Sequence, residues 1–513
     1  MDRIFGIDLG TTNSVIAHTD PNGMTEVIAG KEGDRILPSV VYYPKGDGDP
    51  VVGKRAKARS VIEPDRVARL FKRGMGERTF LPDEQPFMID GKVKSPEELS
   101  ALVLRKLAQM AEDYYGEPVR RAVITVPAYF GDAEREATKI AGQLAGLEVQ
   151  RVVNEPTAAA FAHGFDRPGE PGRILVFDLG GGTFDVTIMD LGTDGSMTVI
   201  GTGGDRALGG MDFDQLIVDE MAKLASQSGL DLTADLQAEQ DAYLKAEELK
   251  KELSELDSSE ALISVGGKPL DFQLSRSQFE GLLKERLQAV EDITIHTMET
   301  AGTQAAEITK VLMTGGSSRI PAFQQLLARI TGRQPTFSRS LDEDVARGAA
   351  ILATKESGEL DPRTLLAAIP PPRDVLSHGL GITAINPETR ALYNSVIIPA
   401  QTPVPADDYE EMYETFEEGQ TRVDVKFNEG DDDNLDFVTE LGRGPADFGR
   451  RVRQGYPLRV VISATNEGRL TLRAYDGETK AELRKIEIVY PTILSGADKR
   501  AAEAEMARIR RVG

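Results

Sequence analysis

Short apolar runs alternate with longer amphipathic stretches from the first residues to about residue 355. Apolar runs bounded by glycine or polar residues are typical of buried strands, whereas apolar positions repeated every three or four residues predict helices. The pattern predicts strands at 4–8, 122–127, 174–178 and 311–314, and helices at 96–115, 132–144 and 241–256. Strands that alternate with helices in this way indicate an α/β domain.

The pattern changes after a proline-rich stretch. Residues 369–373 contain three consecutive prolines, which favour neither a helix nor an inner strand and therefore predict a stiff linker. Beyond it, alternating apolar and polar residues at 422–427, 458–464 and 469–474 predict antiparallel strands with one buried face. From Ser495, alanines and paired charges predict a final helix, which either Ser495 or Asp498 could cap.

Composition narrows the chemistry that the chain can perform. With 83 acidic and 60 basic side chains, the net charge of −23 disfavours binding to a nucleic-acid backbone. The lack of cysteine excludes disulfides, thiolate catalysis and cysteine-bound metals, and the four histidines are too scattered for a ligand cluster. The first residues do not resemble a signal peptide, and no apolar run approaches the ~20 residues of a membrane span. We therefore expect a cytoplasmic protein without nucleic-acid or membrane partners.

One short motif occurs twice. Residues 5–14 (FGIDLGTTNS) and 176–185 (VFDLGGGTFD) each place an apolar run before Asp-Leu-Gly, followed by glycines and hydroxyl residues. Glycine lets backbone N–H groups approach phosphate oxygens, hydroxyls add donors, and an Asp at a strand end can hold Mg²⁺ through water. A single copy could be an ordinary glycine turn. Two copies predict two loops that grip one nucleotide from opposite sides.

A third glycine motif, at 312–321 (LMTGGSSRIP), follows another predicted strand. Together with 8–14 and 178–185, it resembles the adenosine and phosphate motifs of the superfamily that includes actin, hexokinase and the heat-shock chaperones. Residues 124–130 (ITVPAYF) and 153–160 (VNEPTAAA) resemble more specifically the DnaK-type seventy-kilodalton heat-shock chaperone family. The resemblance runs nearly from end to end and is strongest up to about residue 355.

This resemblance implies a fold and a domain order. The fold class expected is an α/β actin-like two-lobed ATPase domain, followed by an antiparallel β-sandwich domain and a short C-terminal helix. We expect the ATPase domain at 1–357, an interdomain linker at 358–376, a substrate-binding β-sandwich at 377–494 and a helical stub at 495–513. The stub would stand where the family has a long helical lid.

The resemblance also implies a hydrolysis site. Phosphoryl transfer needs charge neutralisation, Mg²⁺ and a positioned water rather than a covalent nucleophile. Lys72 and Glu155 match the family residues beside that water, and Asp8 and Asp178 match those that hold Mg²⁺ through water. The catalytic set implied is Asp8, Lys72, Glu155, Asp178 and Thr183, with Asp185 beside it. The cofactors implied are ATP or ADP and Mg²⁺, with K⁺ as a further candidate.

Other positions match the family's nucleotide contacts. The phosphate contacts implied are Gly10, Thr11, Thr12, Asn13, Gly180, Gly181, Gly182 and Thr183. The ribose and base contacts implied are Glu247, Lys250, Lys251, Ser254, Gly315, Gly316, Ser317, Arg319 and Asp342. Helical spacing alone would make the stretch around Lys250 an ordinary amphipathic surface helix, so its assignment to adenosine depends on the resemblance.

Two further sets concern coupling and peptide binding. Pro127 and Arg135 resemble the family's relay between nucleotide state and domain docking, and Arg151 lies where the family meets its J-domain co-chaperone. Residues 413–423 resemble the central peptide cleft, where an extended peptide would use main-chain hydrogen bonds and an apolar pocket. The candidate peptide contacts are Tyr413, Phe416 and Val423.

The function implied is that of an ATP-dependent chaperone whose affinity for extended hydrophobic segments of unfolded proteins is switched by Mg-ATP. Its expected partners are those polypeptides, a J-domain co-chaperone and a nucleotide exchange factor. Three prolines interrupt the family's leucine-rich linker, the loop around 386–393 is longer than expected, and the lid is reduced to a stub. A nucleotide-gated adaptor for a dedicated partner therefore stays open. An actin-like or sugar-kinase-like ATPase is a weaker alternative, because it leaves the β domain without a role.

Overall fold

The chain forms two units that contain different kinds of sheet. The computed structural model describes residues 3–46, 48–76, 86–165, 171–337, 340–465, 469–488, 496–509 and 512–513. The first unit contains Met1–Met197, Thr202–Pro372 and Thr492–Gly513, and the second contains Thr198–Gly201 and Arg373–Pro491. The last segment of the chain therefore belongs to the first unit and not to the β-rich unit that precedes it in sequence.

Mixed sheets and surrounding helices form the first unit. Its strands are β1 (Ile4–Leu9), β2 (Asn13–Thr19), β3 (Thr25–Val27), β4 (Leu37–Pro38), β5 (Val40–Tyr42), β6 (Val51–Val52), β7 (Val67–Arg69), β8 (Phe87–Ile89), β9 (Lys92–Lys94), β10 (Arg121–Val126), β11 (Glu148–Asn154), β12 (Gly172–Leu179), β13 (Phe184–Leu191), β14 (Met197–Asp205, in part), β15 (Ser258–Val265), β16 (Lys268–Ser275), β17 (Ile308–Thr314) and β18 (Thr336–Phe337). Its helices are α1 (Lys54–Lys57), α2 (Pro96–Tyr115), α3 (Asp132–Leu144), α4 (Glu155–Phe165), α5 (Gly210–Gln227), α6 (Leu236–Leu253), α7 (Arg276–Leu282), α8 (Lys284–Thr300), α9 (Pro321–Thr331), α10 (Asp344–Glu356), α11 (Leu365–Ala368) and α12 (Gly496–Arg508). Short 3₁₀ turns lie at Pro64–Arg66, Phe71–Gly74, Ala305–Glu307 and Gly316–Arg319.

Two sheets of the first unit share one design. The first has the order β11-β10-β1-β2-β3, with β4 beside β2, and the second has the order β14-β13-β12-β17-β18. In each, a central strand (β1 or β12) pairs antiparallel with the next strand and parallel with a strand that comes much later. Each hairpin turn carries one copy of the repeated Asp-Leu-Gly motif, so the repeated sequence corresponds to a repeated structure.

The predicted elements are present, with changes at their ends. Helices α2 and α3 have the predicted bounds, and Ser95 caps α2 by accepting a hydrogen bond from the Glu98 backbone N–H at 3.2 Å. The helix predicted at 241–256 is α6, which begins earlier, at Leu236. Asp235 caps it by accepting a hydrogen bond from the Gln237 backbone N–H at 2.9 Å. Because this cap precedes the apolar repeat in the sequence, the helix begins before the repeat does.

Helix α10 packs directly on β1 because two glycines permit close approach. A Cβ atom at Gly6 would lie 2.0 Å from the Ala350 backbone nitrogen, and one at Gly348 would lie 1.8 Å from the Ala158 carbonyl oxygen. Both distances are far below van der Waals contact. The helix therefore depends on glycine at both positions to lie against the strand and against α4.

The stretch expected to be a stiff linker is partly folded. Leu366 and Ile369 are buried in a core cluster with Ile4 and Val153. Lys355 Nζ donates to the carbonyl oxygens of Leu366 and Ala367 at 2.8 and 3.0 Å. The apolar residues before the prolines thus pack as part of the first unit, and the second unit begins after Pro372.

The second unit is a β-sandwich. One sheet has the order β20-β19-β22-β23 and the other has the order β21-β24-β25-β26, and the pairings within both sheets are antiparallel. Its strands are β19 (Leu380–Ile385), β20 (Leu392–Ile398), β21 (Ala406–Glu414), β22 (Gln420–Glu429), β23 (Thr439–Val452), β24 (Pro457–Ala464), β25 (Leu470–Asp476) and β26 (Glu482–Glu487), with a 3₁₀ turn at Leu435–Phe437. Phe427 from one sheet and Ile462 and Leu472 from the other are fully buried in one shared core.

The final helix predicted from the sequence is α12. Of the two predicted caps, Ser495 lies outside the described residues, and Asp498 lies in the first turn of the helix. Within the part of the chain that the structure describes, no helix is both long enough and apolar enough to cross a bilayer.

We predict that Gly348→Ala destabilises the first unit by about 1–3 kcal/mol, because the added methyl group must separate α10 from the Ala158 carbonyl. The matched control is Gly281→Ala in α7, where a Cβ meets no atom within 4 Å. Alanine there should be neutral or stabilising by up to about 1 kcal/mol. Chemical denaturation of both variants measures the difference, and equal effects would contradict the packing argument.

Candidate nucleotide-binding and hydrolysis site

The turns of the two repeated motifs face each other. A Cβ atom at Gly181 would lie 2.3 Å from a Thr12 side-chain carbon, and one at Gly182 would lie 2.4 Å from a Thr11 side-chain carbon. The residues predicted to bind phosphate from opposite sides therefore meet, although 170 positions separate the motifs in sequence. Glycine is needed in the second loop because any side chain there would collide with the threonines of the first.

The second loop is held by its carbonyl groups. Gly210 N donates to the Gly180 carbonyl at 3.0 Å, and Met211 N donates to the Gly181 carbonyl at 2.9 Å. These donors belong to the first residues of α5, so the loop and the N-terminus of that helix are joined. The N–H groups of Gly181 and Gly182 donate to no acceptor among the described residues. They are suited to bind an anionic oxygen.

Lys72 and Glu155 form a buried ion pair. Lys72 Nζ donates to Glu155 Oε1 at 2.6 Å, and the Lys72 and Glu155 residues are 2% and 8% exposed. Lys72 lies on the 3₁₀ turn Phe71–Gly74, and Glu155 is the first residue of α4. The Lys72 ammonium also lies 5.7 Å from the centre of the Phe130 ring. An ion pair with so little exposure to water is typical of a functional site and is unlike an ordinary surface ion pair.

Three aspartates surround this pair. Burial and the negative charge of Glu155 raise the pKa of Asp8 to about 7, against a lowering effect of Lys72. Burial and Glu155 also raise the pKa of Asp185 to about 7, and burial, Glu155 and Asp185 raise that of Asp178 well above its usual range. Thr125 Oγ1 donates to Asp8 Oδ1 at 3.0 Å.

The chemistry of this donor set fits a divalent cation. The buried carboxylates of Glu155, Asp178 and Asp185 and the half-buried carboxylate of Asp8 share the positive charge of Lys72, so negative charge is in excess, and carboxylate oxygens are the hard ligands that Mg²⁺ prefers. Among the described residues, no three acidic or histidine side chains form a cluster that could hold a metal ion by themselves.

The residues of α6 that were predicted to contact adenosine point in two directions. Lys250 Nζ donates to the Gly210 carbonyl at 2.7 Å and pairs with Asp214 Oδ1 at 2.7 Å. Glu247 binds Lys251 and Lys57, each at 2.5 Å. Burial opposes ionisation of Glu247, but these two ammonium groups lower its pKa to about 2. Lys250 therefore faces inward, toward the start of α5, while Lys251 stays at the surface.

Ser254, the last of the predicted contacts on this helix, donates through Oγ to the Lys250 carbonyl at 3.0 Å. This hydrogen bond satisfies a carbonyl group in the last turn of α6.

The third glycine motif meets the second phosphate loop. Gly315 has a φ of 79°, and a Cβ atom there would lie 2.5 Å from Asp178 Oδ1, so the position requires glycine. Ser317 Oγ donates to the Gly180 carbonyl at 2.8 Å. Gly316 follows in the same turn, where a Cβ would lie 3.7 Å from Asp342 Oδ1. Arg319 donates to the other oxygen of that carboxylate at 2.8 Å.

Of the two predicted relay residues, Arg135 links α3 to the residue before Glu155. Pro127 follows directly after β10. Arg135 Nη2 donates to Asn154 Oδ1 at 2.5 Å, and its Nε donates to the Phe130 carbonyl at 3.1 Å. Asn154 directly precedes Glu155 in the chain. Arg151, the predicted co-chaperone contact, forms an ion pair with Glu356.

In the second unit, the predicted peptide contacts lie on different elements. Tyr413 on β21 donates through its hydroxyl to Ser395 Oγ at 2.9 Å, and burial raises its pKa to about 12. The Arg390 guanidinium lies 5.4 Å from the centre of the Phe416 ring. Val423, on β22, is half-buried and packs on the sandwich core. The loop that carries Arg390 runs from 386 to 391.

Two residues at the site were missed by sequence reasoning. Arg73 is buried, and its Nε donates to the Gly182 carbonyl at 2.7 Å. Its guanidinium also pairs with Asp212 at 2.5 Å. Lys57 was missed as the partner of Glu247. The only sequence signal for Arg73 is its place next to Lys72, and Lys57 has none, because its partner is 190 positions away.

Comparison with known proteins shows the family of the chain. The family model described as Hsp70 protein matches residues 4–505. The Chaperone protein DnaK of Thermotoga neapolitana is 40% identical over 436 residues, which cover 83% of this chain and 70% of that protein. The same identity and coverage hold for the Chaperone protein DnaK of Thermotoga petrophila and of Thermotoga maritima. The chain belongs to the Hsp70 family.

Family membership defines the class of activity. The chain is an ATP hydrolase and an ATP-dependent chaperone, and the family binds ATP or ADP with Mg²⁺. Unfolded polypeptides, J-domain proteins and nucleotide exchange factors are partners of the family in general. The predicted family and the predicted fold class are confirmed, whereas the adaptor and kinase alternatives are not favoured.

We predict that the nucleotide-free protein becomes less stable as pH rises from about 4 to about 7. In this window the folded protein keeps protons on Asp8 and Asp185, with pKa values of about 7. The unfolded chain has already released them, because an exposed Asp has a pKa of about 3.9. Above both pKa values the loss is complete.

The measurement is thermal unfolding of the nucleotide-free protein at pH 5.5 and pH 8. Asp8→Asn should be more stable than the parent at pH 8 and should show a smaller difference between the two pH values. Asp271→Asn, at an exposed position on β16, is the control and should behave like the parent. An unchanged pH dependence in Asp8→Asn would contradict the assignment.

Proposed function

We propose that ATP is hydrolysed between the two Asp-Leu-Gly loops, with Lys72 and Glu155 as the groups closest to the reaction. The observation that carries this proposal is the buried Lys72–Glu155 pair, 2.6 Å apart, surrounded by Asp8, Asp178 and Asp185. Phosphoryl transfer is catalysed mainly by positioning and electrostatic stabilisation, and this cluster supplies both.

Each group has a distinct role in this proposal. The N–H groups of Gly181 and Gly182 and the hydroxyls of Thr11 and Thr12 bind phosphate oxygens. Asp8 and Asp178 would hold Mg²⁺ through its water ligands, and the ion would neutralise phosphate charge.

The Lys72 ammonium stabilises charge on the γ-phosphate oxygens. Glu155 accepts a hydrogen bond from the attacking water and so orients it. Thr183 in the second loop would lie beside that water. Asp185 Oδ1 accepts a hydrogen bond from the Tyr129 backbone N–H at 2.9 Å, which links β13 to the turn after β10.

The other predicted contacts are assigned to the ribose and base of ATP. Glu247 would accept hydrogen bonds from ribose hydroxyls, and the stem of Lys250 or Lys251 would lie along the base. The turn at Gly315–Arg319 would close the opposite side, with Arg319 held by Asp342 at 2.8 Å.

In the second unit, we propose that an extended, hydrophobic peptide binds near Tyr413, Phe416 and Val423. Val423 is half-buried and provides an apolar floor, while Phe416 lies under Arg390 at the edge. The nucleotide state would reach the peptide site through Pro127 and Arg135. The specific co-chaperones would be a J-domain protein, with Arg151 as a contact, and a nucleotide exchange factor, acting in the cytoplasm.

We predict that Lys72→Ala lowers the single-turnover rate of ATP hydrolysis by about 10²–10³-fold, as expected for loss of one charge-stabilising donor. ATP should still bind, because the loops and α6 are intact. The control is Lys223→Ala, which removes an exposed ammonium from α5 that lies outside the proposed site and should leave the rate within about threefold. A Lys72→Ala variant that hydrolyses ATP at the parent rate would refute the proposed site.

We predict that Val423→Phe weakens binding of a fluorescent apolar peptide at least about tenfold, because the larger ring fills the proposed pocket. Basal ATP hydrolysis should not change. Thr421→Val, at an exposed position on the same strand, should bind the peptide like the parent. The affinity is measured with ADP and with ATP, and the absence of binding in both states in the parent would exclude the proposed peptide site.

A further inference from the structure

Arg73 is a buried cation to which the proposed hydrolysis mechanism gives no role. The residue is 4% exposed, and it lies on the same 3₁₀ turn as Lys72, at Phe71–Gly74. Each of its three guanidinium nitrogens donates a hydrogen bond, either to the second glycine loop or to the first turn of α5. Because the guanidinium is planar, acceptors on several sides hold it in one geometry.

The second glycine loop is held through three successive carbonyl groups. Backbone N–H groups of α5 bind the first two, those of Gly180 and Gly181, at 3.0 and 2.9 Å. The Nε of Arg73 binds the third, that of Gly182, at 2.7 Å. The loop is therefore fixed both to α5 and to the turn that carries Lys72.

Asp212 joins these two supports. Its carboxylate accepts hydrogen bonds from Arg73 Nη1 at 3.2 Å and from Nη2 at 2.5 Å, and also from the Gly209 backbone N–H at 2.7 Å. Gly209 itself lies against the loop, because a Cβ atom there would be 2.6 Å from the Gly182 backbone nitrogen. One carboxylate thus connects the guanidinium, the beginning of α5 and the glycine loop.

The turn that carries Lys72 and Arg73 begins in a strained conformation. Leu70, directly before it, has a φ of 63°, a left-handed value that residues with a Cβ atom rarely adopt. Such a conformation persists only where the surrounding contacts determine it. Lys72 binds Glu155 on α4 at 2.6 Å. Arg73 binds Asp212 on α5 at 2.5 Å, so the turn is fixed to two different helices.

We propose that Arg73 is a positioning residue for ATP hydrolysis, a strut between the Lys72 turn and the second glycine loop. The strut sets where the Lys72 ammonium lies relative to the phosphate in that loop, and Arg73 does not itself touch the nucleotide, since its three nitrogens have protein acceptors. A displacement of about 1 Å can slow catalysis about 10²-fold, so the strut affects hydrolysis more than binding. The place of the phosphate rests on the proposed function, whereas the contacts of Arg73 do not.

The test is Arg73→Gln in the full chain. Single-turnover hydrolysis at saturating ATP should slow at least about tenfold, whereas the dissociation constant of Mg-ADP should stay within about threefold of the parent value. The matched control is Arg173→Gln, which removes an arginine that binds Asp190 through two nitrogens at the start of β12, the end away from the loop. It should change neither quantity. Equal losses of rate and affinity in Arg73→Gln would make Arg73 a binding residue and overturn the strut.

Two further variants separate position from charge. Arg73→Lys keeps the charge but loses the planar group, so it should hydrolyse ATP as slowly as Arg73→Gln. The parent rate in Arg73→Lys would show that charge alone matters and would overturn the proposal. In a Lys72→Ala background, Arg73→Gln should slow hydrolysis by no more than about twofold further, because the strut acts through Lys72. Full multiplication of the two losses would contradict it.

Removal of Arg73 leaves Asp212 without its cation, which is a cost to folding. If Arg73→Gln does not fold, the double variant Arg73→Gln with Asp212→Asn removes both charges and takes its place in the same measurements. Slow hydrolysis with Mg-ADP affinity within about threefold of the parent supports the strut, and the parent rate overturns it.

Amide hydrogen exchange without nucleotide measures the strut directly. The turn forms backbone hydrogen bonds from Arg73 N to the Leu70 carbonyl at 3.1 Å and from Met75 N to the Lys72 carbonyl at 3.2 Å. Exchange at these two amides should rise in Arg73→Gln and not in Arg173→Gln, and unchanged exchange would refute the strut. If Lys72→Ala instead hydrolyses ATP at the parent rate, the proposed site is refuted while this exchange result stands.

Discussion

The buried ion pair between Lys72 and Glu155 is the interaction on which the arrangement of the ATPase unit depends. A single ammonium group cannot neutralise Glu155 together with Asp8, Asp178 and Asp185, so the pocket holds an excess of negative charge that lowers the stability of the empty protein. This cost is typical of functional sites, where charge is placed in advance for a ligand that will balance it. The sheets, the glycine turns and the close packing of α10 keep these charges together against their mutual repulsion.

The need to hold these charges together also explains why the same strand-and-turn arrangement occurs twice in the unit. Each central strand ends in an aspartate and a glycine turn, and the two turns meet through Thr11, Thr12, Gly181 and Gly182. Backbone contacts from α5 and the Arg73 guanidinium hold the second turn by its carbonyl groups, and the N–H groups of Gly181 and Gly182 point to the proposed phosphate contacts. The position of the charges and the position of the phosphate donors are therefore set by one framework.

The last segment of the chain changes the interpretation of the family resemblance. The family's lid would begin near this helix, yet the apolar face of α12 is buried in the ATPase unit and its final carbonyls are capped by Arg105. With this face covered, the described part of the chain offers no second apolar helix after the β-sandwich.

Sequence alone determined the features that depend on neighbouring residues: the strand and helix periods, the glycine turns, the β-sandwich pattern and the family. Through the family resemblance it also predicted a set of nucleotide contacts, and these stay predictions, although the structure brings the two glycine loops that carry many of them together. Only the tertiary structure decided the partners of Arg73 and Lys57, which are 139 and 190 positions away, and the inward direction of Lys250. It alone placed α12 on α2, since an amphipathic pattern shows that a face will be buried but not against which surface.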